Sequence, residues 1–182
     1  NNVKSFLQEN KNIFFDVDDT SLFIQDHYDL PTNELANKID HTLLKPEAMN
    51  DEIELLCREA DAFNFASVCV NPFYVSMCKK LLENSKVKVC TVIGFPLGAN
   101  TTFIKVEEAK KSIDEGANEI DMVINIGQLK SKQYENVLND INSVVEVGKS
   151  NGVLVKVIIE TCLLSDEEKI IATLITKKAK AD

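Results

Sequence analysis

The chain has 182 residues, a formal net charge of -9, a pI near 4.8 and 45% hydrophobic residues. That is enough apolar material for one sizeable core and too little length for two comfortable domains. The acidic balance argues against nucleic acid or an anionic membrane as the main partner, and it suits a protein acting on small molecules.

Residues 1–30 stand apart as an extension, and 31–182 read as one α/β unit. Residues 1–12 are polar, and 13–20 read IFFDVDDT, a hydrophobic run entering an acidic turn. From about Lys38 onward, short β-branched runs alternate with helical repeats. The first strand is expected over 38–44. Ile53, Leu56, Cys57 and Ala60 then form an apolar stripe at helical spacing. A second strand covers 66–70, and Asn71-Pro72 reads as a cap followed by proline at the first helical position. After a third strand over 87–94, Val106, Ala109 and Ile113 repeat the stripe, and Gly116 can end that helix in a left-handed conformation. A fourth strand covers 119–124. Val137, Ile141, Val144 and Val145 form the next stripe, with Gly148 as its stop. The fifth strand covers 154–160. Ser165 and Glu168 form a capping box at the head of the last helix, and Lys177, Lys178 and Lys180 give it a favourable basic end.

Strand–helix alternation with short links means parallel pairing through right-handed crossovers. Periodicity leaves both an open doubly wound sheet and a closed (β/α)8 barrel available. About five βα units are visible of the eight a barrel needs.

The five cysteines are Cys57, Cys69, Cys78, Cys90 and Cys162, with no C-x-x-C pair, and the only histidines are His27 and His41. No zinc spacing appears, and no metal site is expected. The odd count and apolar settings read as buried, reduced thiols of a cytoplasmic protein. No signal peptide is seen, nor an apolar run long enough for a bilayer. The chain opens on Asn1 rather than Met, as a fragment would. Residues 94–98 read as a strand-end loop, because no G-x-G-x-x-G or P-loop spacing occurs. His41 reads as a hydrogen-bonded structural histidine.

Charged residues inside apolar strands carry the functional signal. Asp121 lies in EIDMVI at a strand's end, Lys156 in LVKVIIE, and Asp40 in IDHTLL. Burying such groups unpaired costs several kcal/mol, about the penalty known for buried ions. Two readings follow: an amine and an acid–base pair facing one pocket, or a structural Asp40–Lys156 or Asp121–Lys156 ion pair.

Five segments in order resemble one family. They are KIDHTLLKPEA at 38–48, SVCVNP at 67–72, TVIGFPLG at 91–98, GANEIDMVINIG at 116–127 and KVIIET at 156–161. Together they are similar to class I deoxyribose-phosphate aldolases, in the family's order and spacing, from about residue 30 to 182. The resemblance implies a TIM barrel, here incomplete, with an N-terminal extension. It implies reversible, cofactor-free and metal-free cleavage of 2-deoxyribose 5-phosphate, a small phosphorylated sugar, to glyceraldehyde 3-phosphate and acetaldehyde. In that family a lysine on the sixth strand forms a Schiff base, and an aspartate on the fourth strand relays protons with a lysine on the seventh. Asp121 matches the aspartate. Asp40, Thr42, Cys69 and Lys156 match residues lining the substrate pocket, and Cys69 is read as a small buried residue beside it. No lysine here matches the nucleophile, whose strand would begin directly after Asp182. The 182-residue chain alone is therefore expected to be inactive. Its first and fifth strands are expected to be apolar edges, with a homo-oligomer as one way to close them.

Two other readings remain. Asp16 and Asp18, within 16–20, match the first motif of haloacid-dehalogenase-type phosphatases, which hold Mg²⁺ there. Such an enzyme needs a long downstream α/β domain, and the aldolase pattern begins within about one helix length. The third reading is a non-catalytic interaction protein on a barrel scaffold.

Overall fold

The structure is a computed structural model, and it describes residues 8–9 and 32–182. The acidic motif at 16–20 lies outside the described residues, as does most of the extension.

Five parallel strands lie side by side in chain order: β1 (Asp40–Leu43), β2 (Ser67–Val70), β3 (Lys88–Ile93), β4 (Glu119–Val123) and β5 (Leu154–Ile158). The order decides between the two α/β architectures. A doubly wound sheet reverses its strand order at a switch point, whereas a barrel adds each strand beside the last. The helices are α1 (Thr32–Ala36), α2 (Asn50–Phe63), α3 (Val75–Leu81), α4 (Thr102–Asp114), α5 (Ile126–Lys130), α6 (Tyr134–Ser150) and α7 (Asp166–Lys178). Among the described residues the sheet ends at β1 on one side and β5 on the other, so the barrel is not closed.

Alternation along each strand separates two environments. One face packs on the helices: Val68, Val70, Val89, Ile93, Ile120, Met122 and Val155 join the main core with Ile53, Ala60, Ile141, Val144 and Ile175. The other face, toward the barrel interior, has only a small apolar cluster of Cys69, Cys90 and Val92. Asp40, Lys88, Glu119, Asp121 and Lys156 also project from this face, and there the site forms.

The helix signals mostly hold. The α2 stripe Ile53, Leu56, Cys57 and Ala60 is buried. Gly116 follows the end of α4 at φ +109°. Ser165 and Glu168 cap α7 reciprocally, and Lys177 and Lys178 occupy its last turn. Asn71-Pro72 instead opens a 3-10 turn over Pro72–Tyr74, with α3 starting at Val75 and no side-chain cap from Asn71.

Three expectations need correction. Gly148 does not stop its helix; α6 runs on to Ser150, and Gly148 is buried within it. A Cβ at 148 would sit 2.2 Å from Val155 Cγ2 and 2.9 Å from the Val153 carbonyl, so the glycine permits helix and strand to touch. Cys162 is not buried: it is exposed, and its thiol donates to Glu160 Oε1 at 2.9 Å. The fifth strand ends at Ile158 rather than 160, because Glu160 turns the chain in a left-handed conformation at φ +51°.

After α7, Lys180 also adopts a left-handed conformation (φ +57°). The turn brings Asp182 against β5: its amide donates to the Val155 carbonyl at 2.9 Å, and its Oδ2 accepts from the Val155 amide at 3.0 Å.

Candidate active site

The site is built on β1, β4 and β5. Asp121 and Lys156 are register partners across β4 and β5, so both side chains project from the same face. Lys156 Nζ lies 3.0 Å from Asp121 Oδ1, 2.9 Å from Glu119 Oε2 and 3.3 Å from Asp40 Oδ2. Asp121 Oδ1 meets the ammonium as an ion pair without hydrogen-bond alignment. Asp40 is held by the buried Ser67, its register partner on β2, whose hydroxyl donates to Asp40 Oδ1 at 2.6 Å. Both ion pairs anticipated for Lys156 are therefore present, and they belong to one cluster.

Asp121 is the middle residue of β4 and Lys156 the middle residue of β5. The cluster thus occupies the central layer of the sheet, not a strand's end as the sequence suggested for Asp121. The apolar residues following Asp121 are still inside the strand, which the run EIDMVI alone did not reveal.

The other anticipated residues fall at different distances from this centre. Cys69 is buried, and its sulfur, the Cys90 sulfur and an Asp121 oxygen all lie within 4.8 Å of one another. Two thiols and a carboxylate are a donor set that soft cations accept. Here Lys156 Nζ stands beside it, 3.7 Å from Cys90 Sγ, and supplies positive charge to the group. Thr42 stands exposed two residues beyond Asp40, and its hydroxyl donates to the Asp40 carbonyl at 2.8 Å. His41 points to the helix side, where Nε2 pairs with Glu59 at 2.7 Å and the ring packs edge-on against Phe65.

Sequence reasoning missed Glu119, Ser67 and Cys90 as members of the cluster. Period-two alternation could have found Glu119, since it shares a face with Asp121. It also missed a buried pair behind the site. Lys105 on α4 is fully buried, with Nζ 2.6 Å from Asp140 Oδ2 and 2.9 Å from the Val123 carbonyl at the end of β4.

Burial raises the Asp121 pKa above the ordinary carboxylate value, against the opposing pull of Lys156 and the Cys90 thiol. For Lys156, burial works against the charge, but the Glu119 and Asp121 carboxylates outweigh it and the pKa is raised. Glu119 is also penalised by burial, yet its bonds to Lys88 and Lys156 hold it below the usual range. The Cys69 contact and burial push the Cys90 thiol far up. At neutral pH this is a fixed ammonium beside a carboxylate with raised proton affinity, the combination that general acid–base chemistry uses.

A separate cavity of about 630 Å³ opens at the N-terminal ends of the strands, lined by Lys79, Lys88, Asn118 and Leu154 among others. That end of a barrel ordinarily serves stability rather than catalysis.

A parallel sheet that adds each strand beside the last, with charged side chains on its inner face, defines an α/β scaffold of the barrel type, and solved structures share the fold. A structure from Coccidioides immitis, described as a candidate deoxyribose-phosphate aldolase, matches with a TM-score of 0.85 at 35% identity, covering 100% of this chain and 70% of that one. A tetrameric deoxyribose phosphate aldolase from Aeropyrum pernix matches with a TM-score of 0.77 at 35% identity, over 84% of this chain and 63% of that one. The family description DeoC/LacD family aldolase matches residues 35–181, and the chain belongs to that family. The curated deoxyribose-phosphate aldolase of Clostridium perfringens (strain ATCC 13124) is 59% identical over 149 residues, and that of Clostridium tetani 56%. The match covers 82% of this chain and 66% of the length of the Clostridium perfringens relative.

Proposed function

We propose that this chain is part of a class I aldolase that reversibly cleaves 2-deoxy-D-ribose 5-phosphate to D-glyceraldehyde 3-phosphate and acetaldehyde. The observation that carries the reading is the half-buried Asp121–Lys156 pair at 3.0 Å, on register-paired strands of a DeoC/LacD-type sheet.

The chemistry needs an amine that condenses with the C1 aldehyde and loses water to give an iminium. Breaking the C2–C3 bond sends its electron pair into that iminium, while the C3 hydroxyl gives up its proton. Protonation of the resulting enamine and hydrolysis release acetaldehyde. Such an amine must be partly neutral near pH 7. Lys156 is the opposite, an ammonium stabilised by carboxylates, so the nucleophile is assigned to a lysine outside residues 1–182. Asp121 has the raised proton affinity needed to move protons at the carbinolamine and enamine. Lys156 orients that carboxylate and offers positive charge to the sugar hydroxyls. Asp40 and Cys69 shape the pocket floor, and Thr42 its rim.

The working protein is read as cytoplasmic and free of metal or organic cofactor. The tetrameric Aeropyrum pernix relative supports a homo-oligomer. Among the described residues no helix is long and apolar enough to cross a membrane.

The test is release of acetaldehyde from 2-deoxyribose 5-phosphate by the full-length gene product, followed by a coupled dehydrogenase with and without chelator. Turnover indifferent to chelator is expected, and residues 1–182 alone should give none. A full-length protein without turnover would refute the reading.

A further inference from the structure

Glu119 is the group the proposed mechanism leaves without a task. It is 6% exposed and opens β4, two residues before Asp121 on the same face. Its Oε1 accepts from Lys88 Nζ at 2.8 Å, and its Oε2 from Lys156 Nζ at 2.9 Å. A buried carboxylate persists only when paired, and this one spans two lysines on the strands flanking its own.

We propose that Glu119 is a positioning residue of this site: bridging Lys88 and Lys156, it fixes the Lys156 ammonium against Asp121 and shares that cation with Asp121 and Asp40. Lys156 has a long flexible stem, and of its three carboxylate partners Glu119 makes the shortest contact. With Glu119 and Asp121 both on β4, the head is held from two points of one rigid strand. Lys88 sets the angle by taking the other Glu119 oxygen from the outer end, where its own side chain is half exposed.

The groups linked to Asp121 directly or through Lys156 and Glu119 can be counted element by element. Asp40 comes from β1, Lys88 and Cys90 from β3, Glu119 from β4 itself and Lys156 from β5, with the Cys69 thiol on β2 beside them. Three carboxylates face two ammoniums, an excess of one negative charge. That excess makes a proton easier to keep on Asp121, in the direction its burial already favours. Neutralising Glu119 removes the excess, and neutralising Lys88 enlarges it. The two substitutions must therefore move Asp121 in opposite directions, which loss of packing alone would not do.

The role in catalysis rests on the aldolase reading, but its test does not require turnover. In the full-length protein, the Asp121 carboxyl carbon is titrated by NMR and assigned by its loss in Asp121→Asn. In Glu119→Gln its midpoint should fall by roughly half a pH unit or more, and in Lys88→Gln it should rise by a similar amount. Lys88 is exposed enough that Lys88→Gln should fold even if Glu119→Gln does not, and its upward shift alone would support the proposal. Shifts of the same sign, or an unmoved midpoint in Lys88→Gln, would overturn it. A wild-type protein that shows these shifts but no turnover would sink the aldolase reading and leave the positioning role standing.

Discussion

Asp121 and Lys156 face each other across adjacent parallel strands at 3.0 Å, the carboxylate 14% and the lysine 32% exposed. Their proton affinities are both raised, for different reasons. Burial lifts Asp121, whereas burial opposes the Lys156 charge and is outweighed by the Glu119 and Asp121 carboxylates. The pair is a standing ion contact whose carboxylate takes up a proton more readily than an ordinary aspartate does.

Asp121→Asn should separate function from stability. A carboxyl whose folded pKa is raised contributes stability in acid and loses it as pH rises through the folded value. Wild type at pH 7 therefore carries a cost that the variant lacks. The full-length variant should melt above wild type at pH 7, with the gap closing as pH falls toward the ordinary carboxylate value near 4. Its kcat should drop by about 10²–10⁴-fold, the usual worth of a general acid–base group. Thermal melts across pH and steady-state kinetics check both halves.

Lys156→Gln should do the reverse to stability. The raised pKa of Lys156 means its contribution is fully present below the ordinary lysine value near 10.4 and is lost only above it. Removing the cation leaves Asp40, Glu119 and Asp121 together with Lys88 as the one remaining ammonium. A loss of about 3 kcal/mol is expected at pH 7, shrinking as the carboxylates protonate in acid. Denaturant melts of the variant that match wild type at pH 7 would contradict this.

How far the sequence could be read followed from how local each signal was. The alternation of strands and helices, the α2 and α6 stripes and the α7 capping box were legible because they are periodic or contiguous, whereas strand order within the sheet was not, since periodicity allowed both α/β architectures. Asp121 and Lys156 stood out as charges inside apolar strands. Glu119 did not, because a glutamate opening a strand looks like a solvated end; only register with β3 and β5 reveals its two lysines. Lys105 near the start of α4 carries no local signal of burial, and its partner Asp140 lies 35 residues on. Ser67 became a site residue only through its pairing with Asp40. Gly148 was misread because a glycine near a helix end resembles a stop, whereas its reason is the Val155 side chain of another element.

Gly148→Ala tests that last point. The added methyl would meet Val155 Cγ2 at 2.2 Å and the Val153 carbonyl at 2.9 Å. Helix propensity alone would favour alanine by up to about 1 kcal/mol. Overpacking should win, giving a net destabilisation of about 1–3 kcal/mol. Chemical denaturation of the two proteins measures the sign directly, and a more stable variant would contradict the close helix–strand contact at Gly148.

The central claim concerns which lysine does the chemistry. The most direct measurement is borohydride trapping of the full-length protein with 2-deoxyribose 5-phosphate, followed by peptide mapping of the adduct. The account expects one covalently modified lysine beyond residue 182, with Lys156 unmodified and no adduct on residues 1–182 alone. An adduct on Lys156, or on any lysine within residues 1–182, would contradict it.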